Sequence, residues 1–316
     1  MNAHSSPPRS MSFPPKGSNA RAILAMIASS AVFVCNDALV KLATSGLPVG
    51  QIMLVRGLFA CAWVGLAVLA TGDWRRLGQG LAGPVLHRAL LDVGATVFFI
   101  MGLVHIPLAN ASSIMLAAPL LITALAVPML GAQVGWRRWS AILVGFVGVL
   151  LIVRPTPAGF NVWSLSTVTS LAFVALRDIV TRRVAPGTGS GVITLTTAAT
   201  VTLLGIPWTL VEGWAPLDGR GLALVAGASV FLALGYFFLI VATRSGDIAV
   251  VQPFRYALIL WSLALGYAIW DDVPDALAFG GIALVVASGL YVLHRERIRI
   301  AQAARQAKVD AAAPAV

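Results

Sequence analysis

Six charged residues sit inside hydrophobic runs that are each long enough to cross a bilayer, about 20 residues. They are Asp37, Arg56, Asp92, Arg177, Asp178 and Arg255. The segment "VFVCNDALVK", residues 32–41, shows the pattern: Asn36, Asp37 and Lys41 interrupt an otherwise apolar stretch. A charge in hydrocarbon costs roughly 3 kcal/mol or more, so such residues usually face a cavity or a partner. A carboxyl group there can carry a proton or hold a cationic group. A guanidinium can grip a carboxylate with two parallel hydrogen bonds. Asn36, Gln252, Tyr236 and Tyr256 add neutral donors and flat surfaces. Together with the six charges they form the candidate set for binding or gating. Pro253 removes a backbone donor next to Gln252 and so frees a carbonyl that a cavity can use. The four histidines, His4, His87, His105 and His294, are scattered. Cys35 and Cys61 show neither metal nor disulfide spacing. No catalytic cluster, metal site or cofactor motif is read, and there is no phosphate-binding glycine loop.

The elements that position these residues follow from composition. Of the 316 residues, 59% are hydrophobic and only 11% charged, with a mean hydropathy of +0.89. Soluble domains carry about 25% charged residues. The net charge of +10 is spread over short gaps between apolar runs, so it reads as an orientation signal rather than a nucleic-acid surface. Ten spans are predicted: 22–44, 49–71, 84–104, 108–130, 138–154, 162–183, 189–211, 220–242, 247–270 and 275–294. Residues 1–21 read as a disordered N-terminal tail, and 296–316 as a C-terminal tail. Sixteen of the 22 Lys and Arg residues fall on one side of this scheme. Only Lys41, Arg154 and Arg220 fall on the other. Both termini are therefore expected in the cytoplasm, and the protein is expected to be a multi-pass membrane protein.

Within this scheme Asp37 and Arg56 each lie about 10 Å from the outer ends of the first two spans, at 1.5 Å per residue. Asp178 lies about 7 Å from the inner end of the sixth, and Arg255 about 12 Å from the inner end of the ninth. Depth alone pairs Asp37 with Arg56 as an outer closure and Asp178 with Arg255 as an inner one. Same-helix alternatives are Asp37 with Lys41, Asp178 with Arg182, and Asp92 with Arg88. Arg177 should point about 100° away from Asp178.

The two halves resemble each other at a shift of 141 residues. Asp37 aligns with Asp178, Lys41 with Arg182, Gly94 with Gly235, and Gly148 with Gly289. Each half holds five spans, so the second inserts upside down. Inverted repeats of this kind place a binding site near the midplane between them. In the fifth and tenth spans no charge appears between Ala141 and Val153 or between Leu277 and Leu293, and small residues repeat four apart, Ala141 with Gly145 and Ala283 with Ala287. Such spacing suits scaffold packing or a homodimer contact through these two spans.

Two segments carry a family resemblance. "VGWRRWSAILVGFVGVLLIVRP" (134–155) and "VVQPFRYALILWSLALGYAIWDDVPDALAFGGIALVVASGLYVLHRER" (250–297) resemble the ends of the two repeats of EamA-type members of the drug/metabolite transporter superfamily. The resemblance covers residues 22–295 and sets the repeats at 22–155 and 156–295. Family members often have Gly-Glu before the last span of each repeat. Here the positions read Ala132-Gln133 and Asp271-Asp272. The resemblance implies a central cavity lined by spans 1–4 and 6–9, with the fifth and tenth to one side. The expected protein is thus an all-α integral membrane protein of ten transmembrane helices in two inverted five-helix repeats. It would move a small organic metabolite, such as an amino acid or a vitamin like riboflavin, by alternating access. Asp37 and Asp178 are the candidate proton carriers. The balance of charges inside the spans favours a zwitterion or weak anion. The rival readings are a flippase of a lipid-linked carrier and a membrane-embedded transferase.

Overall fold

The computed structural model describes residues 17–131, 135–153, 161–181, 183–185, 187–245 and 248–312. Of the expected N-terminal tail over 1–21, residues 17–21 belong to the first helix, whereas residues 1–16, the Ala132-Gln133 pair, Arg154 and Arg182, and with it the Asp178–Arg182 pairing, lie outside the described residues. Every regular element among the described residues is helical. The helices are α1 (Gly17–Ala43), α2 (Val49–Thr71), α3 (Gly83–His105), α4 (Leu108–Met115), α5 (Ala118–Leu130), α6 (Trp136–Val153), α7 (Val162–Thr181), α8 (Ser190–Glu212), α9 (Gly219–Ser245), α10 (Ile248–Val251), α11 (Ala257–Trp270) and α12 (Ala276–Ala312). Two 3-10 stretches, Asp73–Leu81 and Gln252–Tyr256, join them. Nine helical stretches among the described residues are long and apolar enough to cross a membrane, counting Leu108–Leu130 as one. The chain is a multi-pass, all-helical membrane protein.

The run expected as a single span over 247–270 departs from that reading. It is split into α10, the 3-10 turn Gln252–Tyr256 and α11. Proline lacks the amide hydrogen an α-helix needs and crowds the preceding turn. Pro253 therefore forces the tighter winding. Pro119 acts in the same way where α4 gives way to α5. Both broken stretches end in a left-handed residue, Gly131 with φ of 65° and Asp271 with φ of 55°. Glycine adopts this conformation freely, and aspartate more readily than most residues. The amide of each donates back into the last turn, Gly131 to Val127 at 3.1 Å and Asp271 to Tyr267 at 2.9 Å.

The main packing partners are α1 with α9, α3 with α7, α2 with α8 and α6 with α12; α3 also meets α8, α1 meets α11, α2 meets α9, α5 meets α7 and α4 meets α11. Two contacts echo each other across the molecule. The Phe33 ring of α1 sits over Gly235 of α9, where a Cβ would fall 2.7 Å from the ring. The Phe173 ring of α7 sits over Gly94 of α3 at the same 2.7 Å. Beside them, Ser29 Oγ donates to the Gly235 carbonyl at 2.9 Å and Ser170 Oγ donates to the Ala95 carbonyl at 2.7 Å. In the α6–α12 pair, Ala141, Gly145 and Gly148 turn inward, and Gly148 meets the Gly281 backbone. The small residues of α6 thus serve packing within the chain. Ala283 and Ala287 lie on the exposed face of α12.

Candidate functional site

A cavity of about 330 Å³ opens between α1, α2, α3, α7, α9 and the 3-10 turn Gln252–Tyr256. The α1 wall is built from Met26, Ser29, Ser30, Phe33, Asn36, Asp37 and Val40. Steps of three and four keep these residues on one helix face. Arg56 enters from α2, Asp92 from α3, Arg177 from α7, Tyr236 from α9 and Arg255 from the 3-10 turn. A second lobe of about 150 Å³ shares Arg56, Asp92, Thr96, Leu232 and Tyr236 with the first and adds Arg88, Thr194, Thr197 and Ser229. Neither α6 nor α12 lines either lobe.

Arg177 is the most engaged charge. Its guanidinium donates to Asp92 across the α3–α7 contact. It also holds Asp178, with Nε at 3.0 Å and Nη2 at 2.9 Å from Oδ1. One planar fork therefore neutralises two carboxylates, which suits a guanidinium better than an ammonium. Asp37 has a different environment. Asn36 Nδ2 donates to Asp37 Oδ1 at 2.9 Å, and Arg56 Nη1 donates to the other end of that amide, Asn36 Oδ1, at 3.5 Å. Asp37 and Arg56 are thus linked through Asn36. The Arg255 guanidinium lines the cavity and makes no hydrogen bond or ion pair among the described residues. Only its carbonyl is used, accepting from Ser30 Oγ at 3.4 Å. The rings of Phe33 and Tyr236 meet edge to face at 5.4 Å between centroids.

Several pairings expected from spacing are replaced. Lys41 does not pair with Asp37. Its Nζ donates to the Ile106 carbonyl at 2.6 Å, lies 4.0 Å from Asp272 Oδ2, and sits 4.9 Å from the centroid of the Trp270 ring. Four residues along a helix bring two side chains near each other, but a carbonyl at the end of α3 and an acid on another element offer Lys41 more. Asp92 pairs with Arg177 rather than Arg88. Arg88 instead donates to Thr181 Oγ1 at 3.1 Å and Thr197 Oγ1 at 2.6 Å. Asp178 takes Arg177 rather than Arg255, because long side chains curl towards each other despite the 100° between their Cα–Cβ directions. Depth therefore does not sort the charges into two layers: Asp37, Arg56, Asp92, Arg177 and Arg255 meet in one chamber.

Gln252 and Tyr256 stand apart from that chamber. They line a small recess with Met115, Leu116, Pro119, Arg255 and Leu293. Tyr256 is 6% exposed and lies directly over Gly289, whose missing side chain makes room for the phenol. Sequence spacing missed Arg88, Ser29 and Ser30. Arg88 looked satisfied by Asp92 one turn away, and the serines carried no signal beyond their place on the Asp37 face.

Other bonds tie the helix ends at the Lys41 end of the bundle. The Gly50 amide donates to Glu212 Oε2 at 2.8 Å. The Gln51 side chain exchanges two bonds with the Ala215 backbone, at 3.0 and 2.9 Å. These join the start of α2 to the end of α8. Toward the opposite end, Arg88 reaches from α3 to both α7 and α8.

Residues 20–154 match the EamA-like transporter family. The chain is 28% identical to the pseudopaline exporter of Pseudomonas aeruginosa over 84% of its own length and 93% of the relative's. It is 26% identical to the riboflavin transporter of Rhizobium johnstonii, over 75% of this chain and 76% of that one. It is 27% identical to the S-adenosylmethionine uptake transporter of Rickettsia felis, over 68% and 73% respectively. A solved crystal structure superimposes with a TM-score of 0.58 at 19% identity, covering 89% of this chain and 99% of the other. That likeness concerns the fold.

Proposed function

We propose, for a chain that belongs to the EamA-type branch of the drug/metabolite transporter superfamily, that it carries a small organic metabolite across the bacterial inner membrane. The observation that supports this reading most directly is the chamber of about 330 Å³ between the helices, with five intramembrane charges on its walls. Such charges mark substrate or ion pathways, because a lipid-facing position would leave them unsatisfied. The relatives named for pseudopaline, riboflavin and S-adenosylmethionine all handle small organic molecules. No chemical step is assigned, and the protein is read as a carrier rather than an enzyme.

The finer architecture is part of the proposal. Counting α10, the Gln252–Tyr256 turn and α11 as one interrupted crossing brings the total to ten, arranged as inverted repeats over 22–155 and 156–295. The Phe33–Gly235 and Phe173–Gly94 contacts support this, since each pairs the first helix of one half with the third helix of the other in the same manner. The left-handed ends at Gly131 and Asp271 also fall at matching places. Helix interruption near a midplane site is a feature of secondary carriers. Transport proceeds by alternating access, with both termini cytoplasmic. A homodimer would use the exposed Ala283–Ala287 face of α12.

The test is flux. Protein reconstituted in liposomes should accumulate or release a member of a panel of amino acids, dipeptides, flavins and adenosyl compounds. Liposomes lacking protein provide the baseline. A protein that moves none of them, while unfolding cooperatively, would count against the carrier reading.

A further inference from the structure

The charges of the chamber are unequally committed, and the repeat shows why. Asn36-Asp37 in the first half aligns with Arg177-Asp178 in the second at the shift of 141 residues. In the second half the residue before the acid is an arginine that closes on Asp178 and on Asp92. In the first half it is an amide. A carboxylate offers about four lone-pair sites, and Asn36 uses one of those on Asp37. Asp37 has no cationic nitrogen within 4.0 Å among the described residues. Arg255 is its counterpart of opposite sign: a guanidinium has five N–H donors, and none is used among the described residues.

We propose that Asp37 and Arg255 are the two recognition charges of the chamber, Asp37 taking the ammonium and Arg255 the carboxylate of one ligand, while the Arg177–Asp92–Asp178 network forms a fixed wall. The proposal rests on the transport reading above and adds the ligand's charge pattern and orientation. The Ser30 hydroxyl bonded to the Arg255 carbonyl fixes that turn beside Ser30. Asp37 lies seven residues further along α1, about 10 Å along the helix axis. Arg255 lines the same chamber, so a ligand that meets both groups bridges levels of the chamber wall set about 10 Å apart. Across both lobes, Arg56, Arg88, Arg177 and Arg255 face Asp37 and Asp92, with Asp178 behind them. Four positive charges against three negative ones favour a ligand that is neutral overall or anionic.

The experiment measures binding to the full chain in lipid nanodiscs. The probes are phenylalanine, leucine, glutamate and lysine, each beside its carboxamide and its N-acetyl form. S-Adenosylmethionine, which has both a free amine and a carboxylate, and riboflavin, which has neither, complete the set. The tightest binders should carry both groups. Amidation should weaken binding to the parent protein by about tenfold or more, the scale of one lost charge-assisted hydrogen bond, and should have little effect in Arg255→Gln. N-acetylation should weaken binding to the parent in the same way and have little effect in Asp37→Asn. Variants are compared at matched ligand-free unfolding midpoints. If Arg255→Gln does not fold, Arg255→Lys keeps the charge, loses the fork, and should show a reduced penalty for amidation. Capped probes that bind as tightly as free ones would overturn the assignment and leave the carrier reading in place. No binding and no flux with any probe would count against both.

Discussion

Arg177 grips the carboxylate of its own chain neighbour Asp178, with Nε 3.0 Å and Nη2 2.9 Å from the same oxygen. Adjacent residues on a helix normally diverge. Here the fork folds back, because its remaining donor is needed by Asp92 on α3. The result is a brace between α3 and α7 on the wall of the chamber.

Removing that brace should cost stability before it costs binding. Arg177→Gln leaves Asp92, whose side chain is 14% exposed, as an unpaired charge. Breaking a buried pair in this way destabilises by on the order of 3 kcal/mol. Adding Asp92→Asn should recover a substantial part of the loss. Denaturant or thermal unfolding in detergent provides the check, and strictly additive effects in the two variants would show that the groups act separately.

The two phenylalanine–glycine contacts should respond alike. Gly235→Ala drives a methyl group into the Phe33 ring, and Gly94→Ala drives one into the Phe173 ring. Overpacking of this kind costs about 1–3 kcal/mol. Gly65 is the control: a methyl group there would have nothing within 4 Å, so Gly65→Ala should be near neutral. A large loss at one contact and none at the other would argue against equivalent halves.

Lys41 ties α1 to the end of α3 and to Asp272. Lys41→Met removes both bonds while keeping an unbranched side chain. The Lys41 end should then open more often, and a cysteine at Val40, which lines the chamber, should react faster with a polar thiol reagent in a background lacking Cys35 and Cys61. An unchanged rate would assign the Lys41 cluster to static packing.

Topology separates ten crossings from nine. Reporter fusions after Arg76, Arg138, Arg183 and Arg244 are expected to read cytoplasmic. Those after Gly46, Thr156, Gly219 and Asp272 are expected to read periplasmic. The Arg244 and Asp272 pair is decisive for the interrupted helix: the same reading at both would mean that the stretch between them does not cross.

The spans are legible in the sequence because hydrocarbon imposes one demand on every residue of a crossing helix, and that demand is local. The predicted run 49–71 coincides with α2, and 108–130 with the stretch Leu108–Leu130. The break at Pro253 is also written locally, although its form, a 3-10 turn between two helices, is not. Candidate charges can be picked out for the same reason, since Asp37 or Arg255 is conspicuous against apolar neighbours. Their partners cannot. Spacing offers Asp37 to Lys41 and Asp92 to Arg88, yet Lys41 goes to Ile106 and Asp272, and Asp92 goes to Arg177. A charge inside a membrane takes the best-placed opposite group within reach. Which group that is depends on how the helices are rotated about their axes and packed side by side. Hydrophobic length fixes neither, so tertiary packing alone decided that Arg177 is committed to two acids while Asp37 and Arg255 are left facing the chamber.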